Sequence, residues 1–290
     1  MDTASSARTG KGSGDENFPV ASRLIAPRHR PAILAFYNFV RTADDVADHA
    51  TLAPEEKLRL IDQLEAGLAG RSEAEPAARA LRAVLQDRGL SPRHALDLLD
   101  AFRLDVRKAR YASWDELIDY CRLSAMPVGR YVLDLHGESQ ALWPANDALC
   151  AALQVINHLQ DCGKDFRALD RVYIPLDALS AAGADVAALG GDRASPALRR
   201  CLAALAQRAG RLLDEAQAFP AGIRDGRLSL EVAVIHRLAR KLVGLIERRD
   251  PISERVHIGK AGALGVVAAV LAERVLRGPG RRAAEIGQPT

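Results

Sequence analysis

Between residues 31 and 277 the apolar positions recur at three- and four-residue steps, the period of an amphipathic helix. Val and Ile are scattered instead of alternating with polar residues, while Ala, Leu, Arg and Glu, all good helix formers, dominate. The pattern predicts helices near 31–49, 54–69, 74–88, 92–109, 114–122, 126–140, 146–163, 196–218, 228–248 and 258–277. Ser91-Pro92 and Ser195-Pro196 read as an N-cap followed by proline in the first turn, and Gly89 sits where a helix needs its C-cap. The segment 166–194, broken by Pro175 and by Gly190-Gly191, is the longest loop-like stretch. No short-period repeat points to a solenoid and no shift in composition marks a boundary, so the expectation is one all-α domain.

Composition narrows the class without changing that picture. Apolar residues make up 48% and charged residues 27% of the 290, the balance of a chain with a real core. Lys+Arg 40 against Asp+Glu 37 leaves +3, which excludes nucleic acid as the main partner. Four separated cysteines, without a Cys-x-x-Cys pair, read as buried thiols of a reducing compartment. Residues 1–15 are small, polar and Gly/Ser-rich, without the apolar core of a signal peptide, and read as a flexible tail; residues 278–290 read as a second, basic one. The longest uncharged apolar run, Ala261 to Ala272, is shorter than the ~20 residues that span a bilayer. A cytoplasmic protein is expected.

Two segments carry unusual chemistry. In the first, Asp44 and Asp48 are four apart and project from one helical face, with Asp45 beside them; in the second, Asn157, Asp161 and Asp165 step by four along one stripe. Like charges at that spacing destabilise a helix, by roughly 0.2–0.5 kcal/mol per pair. A solvated helix face is the ordinary explanation, but the run AILAFYNFV before the first stripe is apolar nearly all round. Carboxylates ending a buried helix need partners, and hard divalent cations are suitable ones. Mg²⁺ typically takes one or two carboxylates and completes its shell with phosphate oxygens and water. Two facing stripes would therefore clamp Mg²⁺ around a diphosphate.

Two further segments fit beside them. The small residues Ser124, Ala125 and Gly129 leave room beside a helix for a long apolar ligand, and equally permit close helix packing. Arg171 and Tyr173, in the loop after the second stripe, are placed to close over a phosphate-bearing site or to lie on the surface. The seven histidines show no metal-ligand spacing; His49 and His158 read as structural. Neither a dinucleotide fingerprint nor a P-loop occurs.

Taken in order, Tyr37-x-x-x-Arg41-x-x-Asp44-Asp45-x-x-Asp48, Tyr120-Cys121, Val128-Gly129, Asn157-x-x-x-Asp161-x-x-x-Asp165 and Arg171-x-Tyr173-x-Pro175 resemble the squalene/phytoene synthase family of all-helical isoprenoid synthases. The resemblance runs from about Glu16 to Leu276. The stretches GKGSGDENFPVAS, SAMPVGRYVLDLHGE and NHLQDCGKDF are most similar to the bacterial hopanoid-pathway branch that makes hydroxysqualene. Condensing relatives commonly carry arginine where this chain has Gln160.

The resemblance implies a single-domain helical bundle over 16–277 with a central apolar cavity. It implies an Mg²⁺-dependent enzyme that ionises presqualene diphosphate, lets the carbocation rearrange and captures water to give hydroxysqualene. Condensation of two farnesyl diphosphates is the alternative, and a non-catalytic assembly factor a more distant one. On this reading Asp44, Asp45, Asp48, Asn157, Asp161 and Asp165 hold the metal, and Arg41, Arg171 and Arg255 bind phosphate oxygens. Phe18, Phe36, Tyr37 and Tyr120 shield the cation, while Ala125, Val128, Gly129, Gln154 and Tyr173 line the substrate path. Tyr120 joins the four motif aspartates Asp44, Asp48, Asp161 and Asp165 as a catalytic group. The expected partners are the isoprenoid diphosphate, other enzymes of the squalene pathway and, because the product is so apolar, the surface of the inner membrane.

Overall fold

The computed structural model describes residues 3–7 and 24–277. Helices α1 (Arg30–Ala47), α2 (Pro54–Leu68), α3 (Pro76–Arg88) and α4 (Arg93–Arg107) form the first part of the bundle. Next come α5 (Trp114–Ser124), α6 (Met126–Leu135) and α7 (Trp143–Leu169), then the short α8 (Leu176–Ala182). The chain continues through α9 (Pro196–Glu215), α10 (Phe219–Gly222), α11 (Gly226–Ile246) and α12 (Lys260–Arg277). Among the described residues extended pairing is limited to one isolated bridge, Arg110 with Val172. The protein is all-α.

The punctuation explains most of the boundaries. Ser195 accepts from the Leu198 N–H at 3.1 Å with Pro196 opening α9, and Gly89 closes α3 at φ 63°. Helix α4 begins one residue later than expected, because Ser91 Oγ caps the Arg93 N–H and Pro92 takes the N-cap position. Three differences are larger: α6, expected to reach 140, ends at Leu135, with Gly137 following at φ 65°. Helix α7 passes through Gly163 to Leu169 and is closed by Asp170 at φ 48°, and the expected loop 166–194 contains α8 and a 3-10 turn, Val186–Gly190.

The long α7 packs against α5, α6, α9 and α11, so its buried stripe of Ala148, Ala152, Val155, Ile156 and Leu159 is the middle of the core. Helix α1 lies across α3 and α4 and brings its C-terminal end to the same centre. Part of the expected N-terminal tail is docked: Ala4–Ala7 form a 3-10 turn, and Ala4 is buried with its N–H donating to Glu75 Oε1 at 2.6 Å. Among the described residues no helix is long and apolar enough to cross a membrane.

Candidate active site

A cavity of about 530 Å³ opens between α1, α4, α6, α7 and α11, within the size range of small-molecule sites. Its apolar wall includes Ile33, Phe36, Leu98, Phe102, Leu149 and Val232. Phe36 stacks on Tyr131 with centroids 4.0 Å apart, and the Tyr131 hydroxyl donates to the Ala32 carbonyl at 3.0 Å. The aromatic face is thereby fixed in place.

The charged part of the wall is one connected network. Asp44 and Asp45 lie in the last turn of α1 and Asp48 is its C-cap; Asp165 lies in the last turns of α7. Both groups stand at helix C-termini, where the dipole's negative end disfavours carboxylates, so cations must compensate them. Arg41 supplies one, donating to Asp44 Oδ2 at 2.5 Å and to Asp45 Oδ1 at 2.6 Å. Arg171 supplies another, donating to Asp48 Oδ1 at 2.7 Å and to the Asp105 carbonyl at 3.3 Å.

Compensation is incomplete. Burial, and after it the Asp48 charge, pushes the Asp44 carboxyl well above its usual range despite Arg41. Asp165 is pushed up to about 7 by burial and by Asp161, and the charge of Asp48 reaches it from the facing stripe. The wall thus holds more negative charge than its own arginines neutralise.

The segment after α7 positions Arg171. Arg110 pairs with Asp170 at 2.5 Å, the Val172 N–H donates to the Ala109 carbonyl at 2.8 Å, and the Leu176 N–H donates to the Tyr111 carbonyl at 3.0 Å. Extended alternation then sends Val172 and Ile174 into the core and leaves Arg171 and Tyr173 in the cavity wall. Beneath them lies Asp105 at the end of α4, accepting from Tyr120 and from Tyr173, each at 2.8 Å. Burial raises the Asp105 carboxyl to about 6, against the pull of Arg171 and the two hydroxyls. His158 stacks on Tyr173 with centroids 3.7 Å apart, and burial, with Arg171 beside it, lowers it to about 3, so it is a neutral imidazole.

The cavity therefore brings together Asp44, Asp48, Asp165, Asn157, Arg41, Arg171, Tyr173, Tyr120, Phe36, Tyr37, Val128, Gly129 and Gln154 of the residues singled out in the sequence. Others stand elsewhere. Asp45 is 1% exposed and occupied by Arg41, behind the wall; Asp161 is half-buried one turn before Asp165 and acts on it through charge. Ala125 is buried in the junction of α5 and α6, and Arg255 is exposed between α11 and α12, outside the wall. Phe18 lies outside the described residues. Gln160 is turned from the cavity, its Nε2 donating to the Val256 carbonyl at 2.5 Å. Asp105 is the residue that the sequence reading passed over. Its signal was its register, because Leu98, Phe102 and Asp105 share the buried stripe of α4.

The donor set fits Mg²⁺. Every candidate ligand in the wall offers oxygen, and Asp44, Asp48, Asp105 and Asp165 stand against two wall arginines, Arg41 and Arg171, an imbalance that a cation would offset. Among the described residues no three Asp, Glu, His or Cys side chains are gathered tightly enough to chelate a metal alone.

Residues 12–261 match the squalene/phytoene synthase family. This chain belongs to that family. Hydroxysqualene synthase of Rhodopseudomonas palustris is 59% identical over 258 residues, covering 89% of this chain and 88% of the relative. Hydroxysqualene synthase of Zymomonas mobilis is 52% identical over 269 residues, covering 92% and 91%. The crystal structure of a squalene synthase from Alicyclobacillus acidocaldarius superposes with a TM-score of 0.72 at 32% identity, covering 84% of this chain and 92% of that one. A dehydrosqualene synthase structure shares the fold, with a TM-score of 0.78 at 21% identity over 93% and 95% of the two chains. As a squalene/phytoene synthase, the protein is an enzyme of isoprenoid diphosphates, and its all-helical bundle is that of the family.

Proposed function

We propose that the domain over 16–277 converts presqualene diphosphate and water to hydroxysqualene and diphosphate, in the cytoplasm. The observation that carries this reading is the division of one cavity into an aromatic, apolar wall and an acidic network holding two arginines, in a chain 59% identical to a hydroxysqualene synthase. Among the described residues Arg41 and Arg171 are the arginines of the wall, and both already serve carboxylates. Gln160 adds no cation, and its side chain is committed to Val256. This positive charge suits one diphosphate better than two.

Mg²⁺ bound by Asp44, Asp48, Asn157 and Asp165, with Asp161 behind them, would neutralise the diphosphate and ease its departure. The chain's own residues do the rest. Arg41 and Arg171 orient the phosphate oxygens with forked N–H donors. As the carbon–oxygen bond breaks, diphosphate keeps the electron pair and a cyclopropylcarbinyl cation remains. The faces of Phe36 and Tyr37 stabilise that charge, by roughly 0.5–2 kcal/mol per ring. The surrounding apolar wall limits water until the ring has opened. One water then forms the new carbon–oxygen bond, and its second proton leaves to the released diphosphate. Tyr120 and Tyr173, fixed by Asp105, keep Arg171 aligned through these steps.

The test is product analysis with purified full-length protein, Mg²⁺ and presqualene diphosphate in ¹⁸O-water. The expected product is hydroxysqualene with label in its hydroxyl. Unlabelled alcohol would rule out water capture, and efficient conversion of farnesyl diphosphate alone would establish the condensing reaction instead.

A further inference from the structure

We infer that the outward face of α12 is a docking surface for an anionic lipid bilayer. The helix is apolar on its outward face as well as on its packed one. Leu264, Leu271, Val275 and Leu276 are 69%, 43%, 79% and 84% exposed, and the exposed positions between them are alanine and glycine. At ~100° per residue these positions fall within one arc of about 160° that holds no charge. The charged Glu273 points the other way, to Arg237 at 2.7 Å. Soluble helices keep leucine inward; α12 buries Val266 and Val270 and turns its three leucines outward as well.

The inner side of α12 shows that the helix is firmly seated. Val266 and Val270 pack against Val234 and Leu238 of α11, and the same helix α11 presents Val232 and Ile235 to the cavity wall. Helices α12 and α11 themselves thus lie between the apolar face and the cavity. No described helix crosses a membrane, so α12 lies along the surface.

Charge selects the occupant. Lys260 is exposed at the start of α12, and after Leu276 the sequence reads RGPGRRAAEIGQPT. From 260 to 290 there are five basic residues and two acidic ones, so the apolar stripe is bracketed by positive charge. That arrangement matches acyl chains beneath anionic headgroups. A second copy of this chain matches it poorly: parallel pairing sets Lys260 against Lys260, antiparallel pairing sets it against the basic end, and the face carries no acid to compensate.

Flotation of the purified full chain with phosphatidylcholine vesicles, with and without one-third phosphatidylglycerol, tests the assignment. The protein should float with the anionic vesicles, and added salt should weaken the association. The triple variant Leu264→Gln, Val275→Gln, Leu276→Gln should keep its circular dichroism and thermal midpoint and bind about tenfold more weakly or less. Failure to float, indifference to phosphatidylglycerol, or equal binding by the folded triple variant would each overturn the proposal. The wild-type comparison of the two vesicle types stands even if the variant does not fold. A lipid-free dimer that the triple variant abolishes, without flotation of the wild type, would assign the face to a second copy.

Discussion

Replacing Asp105 with asparagine separates the stability of the site from its function. The carboxyl is buried under Arg171 and accepts from both Tyr120 and Tyr173, yet its folded value is raised from 3.8 to about 6, so desolvation outweighs all three partners. A carboxyl raised on folding favours the folded state while protonated and costs stability as pH rises through its folded value. At about 1.4 kcal/mol per pH unit the full cost is about 3 kcal/mol, and roughly half of it accrues between about pH 5 and about pH 7.5. Asp105→Asn removes that titration. With chelator present, the thermal midpoint of the variant relative to wild type should rise by roughly 2–3 °C over the same interval, given ~2.1 cal/mol/K per residue. Turnover should fall by about tenfold or more, because an amide cannot accept from two hydroxyls as the carboxylate does and Arg171 loses its alignment. Parallel pH curves for the two proteins would refute the burial argument. Undiminished turnover would refute the alignment argument.

Asp44→Asn or Asp165→Asn should each lower turnover at least ~100-fold at saturating substrate, with the fold intact, since a ligand charge is lost while carboxylate repulsion is relieved; near-normal rates in either variant would remove that residue from the metal clamp. Gly129→Ala should destabilise by about 1–3 kcal/mol in thermal unfolding, because its new methyl would sit 2.0 Å from Asn146 Oδ1 and 2.7 Å from Cys150 Sγ, and Asn146→Ala in the same chain should recover part of the loss. Presqualene diphosphate should be consumed readily while farnesyl diphosphate alone yields little C30 product, as mass spectrometry of the extracts will show.

Helical period and caps account for nearly every main helix because those signals are local: proline opens α2, α3 and α9, and left-handed Gly89 closes α3. What escaped that reading depends on neighbours far along the chain. Gly163 looks like a terminator, but a Cβ there would lie 2.9 Å from Ile252 Cδ1, so the glycine serves a close approach and α7 runs on. The seven residues of α8 have little helical signal of their own and are held by packing against α9. The same limit governs the site. Periodicity can place Asp44, Asp48, Asp161 and Asp165 on helical stripes, but only the packed bundle decides that Asp161 stands behind Asp165 and that Gln160 turns to Val256. Gly129 fits both openings that the sequence left for it, since it lines the cavity and also lets α6 approach α7.

The arginine–carboxylate pairs are poorly explained as devices for holding the bundle together. Arg171 is 8% exposed and Asp45 1%, and withdrawing such ions from water costs several kcal/mol each, which the mutual attraction of a buried pair seldom exceeds. Leucine or methionine of similar volume would serve the fold as well, and the core already has Phe39, Leu60, Leu64, Leu98 and Ile156 almost wholly out of water. Yet the bundle gathers Asp44, Asp48 and Asp165 at two helix C-termini, the unfavourable ends for anions, and leaves their charge partly unmatched. Such an arrangement gains from a cation carrying phosphate oxygens: the cation relieves the carboxylates, and the phosphate gives Arg41 and Arg171 a second anion to share. In the reaction proposed above, the electrostatic cost carried by the bundle would become binding energy for an ionising diphosphate, which is where an enzyme of this class needs it.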